Sequence, residues 1–193
     1  MTGITENIAR ICNEAAVALL DLNAVAVSAG PGSYTGLRIG ISVAKGICHG
    51  LQLPLITIST LEAMVNAVRN QYPEPGTLYC PLIDARRMEV YTLLANGTGR
   101  ILQQPFTYIV QSPAFEFIPK GTSCVFFGSG LEKCLEFLPD GALTYPNFTH
   151  SAKHLHAPAF QQYLNGAFAD MAYFEPEYLK DFYTSSKKNN TSS

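Results

Sequence analysis

Residues 30–40 read GPGSYTGLRIG and come just after the apolar run AVAVS at residues 24–28. That run is β-branched at alternate positions and ends at a Gly-Pro-Gly turn, so it predicts a buried strand that leads into a helix over residues 35–51. A second apolar run at residues 54–58 predicts another strand. Strand, helix and strand in this spacing favour parallel pairing, which indicates an α/β fold.

The turn at residues 30–33 has residue types that favour the start of a helix and that let another backbone segment come close to its own. Its glycines tolerate positive φ, and Ser33 or Thr35 can cap the free N–H groups of the first helical turn. Those N–H groups also favour an anion, so two interpretations stay open: a tight turn without a ligand, or a phosphate contact. The loop has neither a Walker ending nor GxGxxG spacing. The residues of this signature loop are Gly30, Pro31, Gly32, Ser33, Thr35 and Arg38.

The helix predicted over residues 35–51 carries two neighbouring apolar faces. One of them combines small and branched residues at the 3.5-residue spacing of a helix–helix seam. Interior glycines cost about 1 kcal/mol each relative to alanine, so they favour a site that another backbone approaches. Either the first helix of the same chain packs on this face or a helix of another molecule does. In a helix bundle, both pack there. The predicted seam residues on this helix are Gly36, Gly40, Val43 and Ile47, and Ile4, Ile8 and Ile11 belong to the apolar stripe of the first helix.

The segment YPEPG at residues 72–76 contains two prolines and a glycine, and it is predicted to be a linker between two domains. Residues 1–76 would form a first α/β domain, with a helix over residues 4–21 capped by Thr2 and a helix from Ser59 or Thr60 to about Asn70. Residues 77–183 would form a second α/β domain, and residues 184–193 a disordered tail. The elements predicted in the second domain are strands at 78–83, 89–94, 100–110 and 123–128 and helices at 131–137 and 156–168.

The composition indicates a protein with a real core and no membrane segment. Of its 193 residues, 47% are hydrophobic and 15% are charged, and the net charge is −2. No run of 18 apolar residues and no signal-peptide pattern occurs, so a cytoplasmic protein is expected. The near-neutral charge argues against unaided binding to nucleic acid. Five cysteines without a CxxC pair predict reduced, mostly buried thiols.

Two polar constellations invite a functional interpretation. His150, His154 and His156 are close in sequence, but their spacing is not a zinc signature, so solvated loop histidines are favoured. Asp84, Arg86 and Glu89 cluster with Arg87 at a predicted hairpin. They either line an interdomain cleft or form a turn with ion pairs worth well under ~1 kcal/mol each. No catalytic residue, metal site or cofactor is predicted.

Four stretches of the chain resemble the TsaB (YeaZ) family in the same order. They are the signature GPGSYTGLRIG, then PLITISTL at residues 54–61, IDARRMEVY at residues 83–91 and EPEYL at residues 175–179. The likeness extends from residue 4 to about residue 180. It implies the actin-like, sugar-kinase-like (ASKHA, ribonuclease H-like) fold, in which two related α/β domains form the molecule.

The resemblance also implies a function and a set of partners. The family provides the non-catalytic dimerisation subunit of the machinery that forms N6-threonylcarbamoyladenosine at adenosine 37 of tRNA, within the glycoprotease superfamily. Its members pair with a TsaD-like catalytic subunit through the first two helices, and a TsaE-like ATPase completes the complex. The resemblance therefore implies that the partner-binding residues are Ile4, Ile8 and Ile11 on the first helix and Gly36, Gly40, Val43 and Ile47 on the second. Contact with tRNA is then expected only through the complex. A homodimer of the isolated chain is a further expectation.

The sequence departs from the family at its beginning. Family members begin with three strands that carry an Ile-Asp-Thr-Ser-like turn, whereas this sequence starts at the following helix. We therefore expect a first domain that is incomplete at its N-terminus, with roughly 25–35 further residues encoded upstream. The first phosphate loop of the fold would lie in those residues.

Two enzymatic alternatives compete with the scaffold hypothesis. One is a metallopeptidase of the glycoprotease type, and the sequence lacks the two-histidine motif and catalytic glutamate that it would need. The other is a small-molecule kinase of the same fold, which would need the first phosphate loop and a catalytic aspartate. The scaffold is the favoured hypothesis.

Overall fold

The computed structural model describes residues 3–71 and 76–179, which form two β-sheets with helices between and around them. Three predictions concern residues outside this part of the chain: the Thr2 cap, most of the linker at 72–76 and the tail at 184–193.

The first sheet contains two parallel strands, as predicted. Strand β1 (Val25–Gly30) pairs with β2 (Leu55–Ser59), beginning with Val25 opposite Leu55. Helix α1 (Ile4–Glu14) precedes the sheet, and α2 (Tyr34–Leu51) joins its two strands. Helix α3 (Thr60–Arg69) follows, and the Ser59 hydroxyl accepts a hydrogen bond from the Glu62 N–H at 3.5 Å, so Ser59 is its cap.

The prediction of a first helix over residues 4–21 was wrong, because α1 ends at Glu14. Ala16 adopts φ 53°, and the Val17 N–H bonds to the Cys12 carbonyl at 3.0 Å, which together form a Schellman stop. A short 3₁₀ turn at Leu19–Asp21 follows. Alanine occupies the position at which glycine usually marks such a stop, so the end of α1 could not be predicted from the residue type.

The second sheet contains six strands in mixed orientation. Strand β5 pairs antiparallel with β6 on one edge and with β3 and β4 on the other, while β3 pairs in parallel with β7 and β7 with β8. The strands are β3 (Leu78–Pro81), β4 (Ile83–Asp84), β5 (Glu89–Asn96), β6 (Ile101–Ile109), β7 (Cys124–Phe127) and β8 (Leu143–Tyr145).

Several predicted elements of this half need correction. The strand at 78–83 is interrupted at Leu82, and the short strand β8 was not predicted. The predicted helix at 131–137 is α4 (Leu131–Cys134) followed by a 3₁₀ turn. Helix α5 (His156–Leu164) follows a 3₁₀ turn at Ala152–Leu155 and stops short of residue 168. The N–H of Gly166, which has φ 66°, bonds to the Tyr163 carbonyl at 3.1 Å and closes that helix end.

Helix α3 ties the two sheets together. Its buried residues Leu61, Met64 and Val68 pack with Tyr79 and Phe127 of the second sheet. The opposite face of that sheet carries a second core, which includes Phe115 and Phe126. Ala63, also on α3, packs with Ile56 and Ile58 of the first sheet. One helix therefore fixes both sheets.

All five cysteines are free thiols, and all except Cys12 are buried, which confirms the prediction made for them. Cys80 and Cys124 lie within β3 and β7, as expected of core residues. None of the helices in the described part of the chain is both long enough and apolar enough to cross a bilayer.

We expect Phe126→Ala to lower the free energy of unfolding by about 3–5 kcal/mol, because it leaves a cavity in a closely packed core. The Phe126 side chain is fully buried, and its ring centroid lies 5.0 Å from that of Phe115. Urea denaturation measures the change. Leu102→Ala, at a position that is 50% exposed, is the control and should change stability by less than about 0.5 kcal/mol. Equal losses for both variants would contradict this description of the core.

Candidate functional site

The signature loop joins β1 to α2 and has the predicted cap. The Ser33 hydroxyl accepts a hydrogen bond from the Gly36 N–H at 3.4 Å, so Ser33 rather than Thr35 caps α2. Gly30 has φ 113°, and a Cβ placed there would lie 2.9 Å from the Glu177 carbonyl oxygen. Glycine is therefore required at this position both for the backbone conformation and for the approach of a distant segment.

That distant segment is the stretch around residues 174–179, which lies against the signature loop and α2. The Glu177 N–H donates to the Ala29 carbonyl at 2.8 Å, and the rings of Tyr178 and Tyr34 are 5.1 Å apart. The Lys45 ammonium donates to the Phe174 carbonyl at 2.7 Å. The fold thus brings together two of the stretches that carry the family resemblance, although more than 130 residues separate them in sequence.

Two carboxylates lie near this junction. Partial burial raises the pKa of the Glu62 carboxyl. Partial burial also raises the pKa of Glu177, and the charge of Glu62 adds to that effect. Beside them the hydroxyls of Ser28 and Thr60 share a hydrogen bond across the ends of the first sheet. Sequence reasoning missed this polar junction, because its members come from three separate parts of the chain: β1, α3 and the stretch at residues 174–179.

An open apolar groove of about 750 Å³ lies next to the signature loop. Helices α1 and α2 and strand β1 line one part of it, and α3 with residues 150–155 lines another. Pro31, Gly32 and Ser33 reach it from the loop, whereas Thr35 and Arg38 are exposed on α2. The groove contains all seven residues predicted to bind a partner: Ile4, Ile8, Ile11, Gly36, Gly40, Val43 and Ile47.

Helix α1 borders this groove without filling it. A Cβ added at Gly40 would have no heavy-atom neighbour within 4 Å, and one at Gly36 would meet only Ser33. Ile4 and Ile11 remain 42% and 56% exposed. The seam on α2 is therefore not occupied by the first helix of the same chain, which was one of the two alternatives that the sequence left open.

Strand β1 forms part of the groove wall with an unpaired edge. Within residues 3–71 and 76–179, β1 pairs with β2 alone. Ala26 is exposed, and Val25 and Val27 are only half-buried. An unpaired edge with apolar side chains is a template for further strand pairing.

Asp84 lies at the rim of the same groove and belongs to a braced hairpin. The Lys133 ammonium contacts the Asp84 carboxylate and donates to the carbonyls of Arg87 at 2.9 Å and Glu89 at 2.6 Å. The Lys133 hydrogen bond holds the pKa of Asp84 below its usual range. The Ser129 hydroxyl accepts from the Asp84 N–H at 3.1 Å. Sequence reasoning missed Lys133 and Ser129, which are 49 and 45 residues away from Asp84.

The hairpin has features of both interpretations that the sequence left open. Its turn does carry an ion pair, between Asp84 and Lys133. Asp84 also lines the groove, whereas Arg86 and Glu89 are not among the lining residues. Arg86 and Arg87 have φ values of 66° and 49°. Two consecutive non-glycine residues in the left-handed region cost about 1–2 kcal/mol each, which the bracing by Lys133 and Ser129 offsets.

The three histidines do not form a cluster in the structure. Within the described ranges, no group of three or more His, Cys, Asp or Glu side chains is arranged to hold a metal ion. His154 stacks on Phe148, and its Nδ1 accepts from the Ser151 N–H at 3.2 Å. Burial lowers the pKa of His154, and the charges of Lys153 and His150 add to that effect. These contacts fix one wall of the groove.

A family model described as TsaD, tRNA N6-adenosine threonylcarbamoyltransferase, matches residues 2–118, which is more than half of the chain. TsaB of Bacillus subtilis is 37% identical over 94 residues, covering 49% of this chain and 39% of that protein. TsaB of Escherichia coli is 42% identical over 81 residues, covering 42% of this chain and 34% of that protein. The matched region thus spans less than half the length of these relatives.

Solved structures match over most of the chain. YeaZ from Pseudomonas aeruginosa superposes with a TM-score of 0.75 at 25% identity, covering 89% of this chain and 81% of that one. A second structure from the same organism, of an uncharacterized protein similar to peptidase YeaZ, gives a TM-score of 0.74 at 26% identity. The mixed α/β structure is therefore of the ASKHA type.

The sequence match and the groove beside a GPGS loop define a class, the TsaD or glycoprotease superfamily. Within that superfamily the curated relatives and the solved structures agree on one branch. The chain belongs to the TsaB (YeaZ) family, whose curated members are described as tRNA threonylcarbamoyladenosine biosynthesis proteins.

We expect Lys133→Met to destabilise the protein by about 1–3 kcal/mol at neutral pH, because it removes charged hydrogen bonds to a carboxylate and two carbonyls. Asp84 has a lowered pKa when folded, so its contribution is present above its ordinary pKa of 3.8 and is lost as the pH falls through the folded value. The difference between wild type and variant should therefore shrink in acid.

Urea titrations of the two proteins between neutral pH and acid pH measure this difference. The part that varies with pH should stay below about 1 kcal/mol, because half of the Asp84 side chain is exposed. Lys120→Met, at an exposed lysine, is the control. A difference that grows as the pH falls would show that the Asp84–Lys133 pair does not stabilise the folded state.

Proposed function

We propose that this chain is a non-catalytic scaffold subunit of the machinery that forms N6-threonylcarbamoyladenosine in tRNA. In this proposal it binds and activates a TsaD-like catalytic subunit, a TsaE-like ATPase joins them, and tRNA is held by the complex. Family membership supports the pathway. The observation that carries the binding role is the open groove at α1 and α2, where all seven residues predicted from the sequence meet.

The chemistry of the groove favours a protein partner over a small polar substrate. Apart from Asn7, its walls on α1 and α2 are isoleucine, leucine, valine, alanine and glycine, so burying them gains free energy roughly in proportion to the apolar area covered. Glycines at positions 36 and 40 leave space for a helix to come closer than bulkier residues would permit. Helices that pack in this way approach to 8–10 Å between axes. A helical segment of the catalytic subunit suits such a surface.

We further propose that additional β-strands pair with the free edge of β1 in the functional assembly. A two-stranded parallel sheet is small for independent stability, and strands on this edge would satisfy its backbone groups. Such strands would come from residues beyond this sequence or from another molecule. The helices α1 and α2 would then cover one face of a larger sheet and present the seam to the partner.

Gly40→Leu should abolish or strongly weaken binding to a TsaD-like subunit from the same organism. The leucine would occupy space that the partner is proposed to fill, and overpacking at such a contact typically costs 1–3 kcal/mol, or about 5- to 150-fold in Kd. The chain itself should stay folded, because nothing outside the backbone of α2 lies within 4 Å of the added Cβ. Isothermal titration calorimetry and circular dichroism measure the two effects.

Ser42→Leu is the matched control, because it places the same side chain at an exposed position of α2 away from the seam. It should bind the TsaD-like subunit as tightly as the wild type does. If Gly40→Leu also binds normally, the seam is not the partner surface.

The purified chain should show no peptidase, kinase or threonylcarbamoyl-transferring activity on its own. Turnover assays with a casein substrate, with ATP and sugar acceptors, and with unmodified tRNA plus threonylcarbamoyl-adenylate test each class. Modification of tRNA should appear only when the TsaD-like subunit is added. Robust turnover by the chain alone would refute the scaffold assignment.

A further inference from the structure

The hairpin turn after β4 holds two arginines in an unusual conformation. Arg86 and Arg87 are adjacent, both have left-handed backbone angles and both are exposed. Non-glycine residues rarely adopt this conformation, and two in succession are rarer still. Such a turn persists only where the surrounding structure fixes it.

The surrounding structure fixes this turn from three directions. The Lys133 ammonium bonds to the Arg87 and Glu89 carbonyls and to the Asp84 carboxylate. The Arg86 N–H donates to the Asp84 carboxylate at 2.7 Å. Behind the strand, Gly130 packs so closely that a Cβ there would lie 3.3 Å from the Asp84 nitrogen. The backbone that carries the two arginines is therefore rigid.

Within the described part of the chain, neither guanidinium forms an ion pair. The Asp84 carboxylate forms its ion pair with Lys133, and the charge of Arg86 makes only a small contribution to lowering the pKa of Asp84. Among the residues that the structure describes, no carboxylate lies within 4 Å of either guanidinium, since the ion pairs there are Arg10–Glu14 and Lys133–Asp84. A rigid turn that presents two adjacent unpaired guanidiniums is suited to planar, bidentate recognition of an oxyanion.

We propose that Arg86 and Arg87 form a docking site for carboxylate side chains on an acidic segment of a partner protein. The site lies at the rim of the groove, through Asp84, but outside the α1–α2 seam. It would therefore add orientation and specificity to a complex whose main contact is apolar. This inference rests on the proposed function and identifies a second contact within the same assembly.

A carboxylate pair fits the surroundings better than a nucleic acid does. The chain has a net charge of −2, whereas nucleic-acid binding usually draws on a broad basic surface and several phosphate contacts. The basic surface at this turn consists of two adjacent arginines flanked by Asp84 and Glu89, so it is too small to follow a run of phosphates. Two guanidiniums match one or two Asp or Glu side chains in number and geometry.

The double variant Arg86→Ala/Arg87→Ala tests the proposal in the full chain. Its affinities for the TsaD-like subunit, the TsaE-like ATPase and tRNA are measured by calorimetry at two salt concentrations. We expect about 10- to 100-fold weaker binding to the TsaD-like subunit at low salt, with a smaller difference at high salt, and no change for the TsaE-like ATPase or tRNA. Arg100→Ala, at an exposed arginine on another turn, should bind within about twofold of the wild type.

The conservative variant Arg86→Lys/Arg87→Lys separates geometry from charge. It keeps both charges but loses the planar fork, so it should bind more weakly than the wild type and more tightly than the double alanine variant. Unchanged thermal midpoints show that the variants fold.

Each alternative outcome contradicts the proposal. Wild-type affinity of the double alanine variant for the TsaD-like subunit overturns the docking site while leaving the proposed function intact. Loss of affinity for tRNA alone overturns it in favour of RNA contact. Failure of the wild-type chain to bind either protein refutes the proposed function, and the docking site falls with it.

Discussion

Strand β1 makes hydrogen bonds to β2 along one edge, and the backbone groups on its other edge face a groove. Polar backbone groups need partners, so this edge must be satisfied by water or by another segment. Helix α2 joins β1 to β2, and the connection between two parallel strands crosses over one face of the sheet. Helix α2 therefore lies beside α1, and the apolar seam between the two helices stays open.

Helix α3 and residues 169–179 make the site a property of the whole chain. Helix α3 packs on both sheets, so it fixes the position of the groove rim on the second sheet relative to β1 on the first. After α5 the chain returns to the first sheet, where the Ala169 N–H bonds to the Leu55 carbonyl at 2.8 Å, and then lies against the signature loop. Gly30 permits this contact, because any side chain there would strike the Glu177 backbone.

Patterns that are local in sequence predicted most of the fold. The parallel pair, a cap at Ser59 or Thr60, the hairpins and the four groove residues on α2 follow from periodicity and turn chemistry, and the family resemblance added the three groove residues on α1. The predictions failed where distant atoms decide the outcome. Lys133 braces the Asp84 turn from 49 residues away, and nothing near Lys133 in sequence reveals it. The early end of α1 was missed because Ala16 adopts a conformation that usually marks glycine.

Binding of the catalytic subunit by the α1–α2 seam can be tested by hydrogen–deuterium exchange, measured on the chain alone and in complex with a TsaD-like subunit. We expect slowed exchange on binding to be concentrated in residues 4–14 and 34–51, with a smaller effect at the Arg86–Arg87 turn. A stable complex in which those two helices exchange at unchanged rates, while protection appears on β6 or α5, would contradict it.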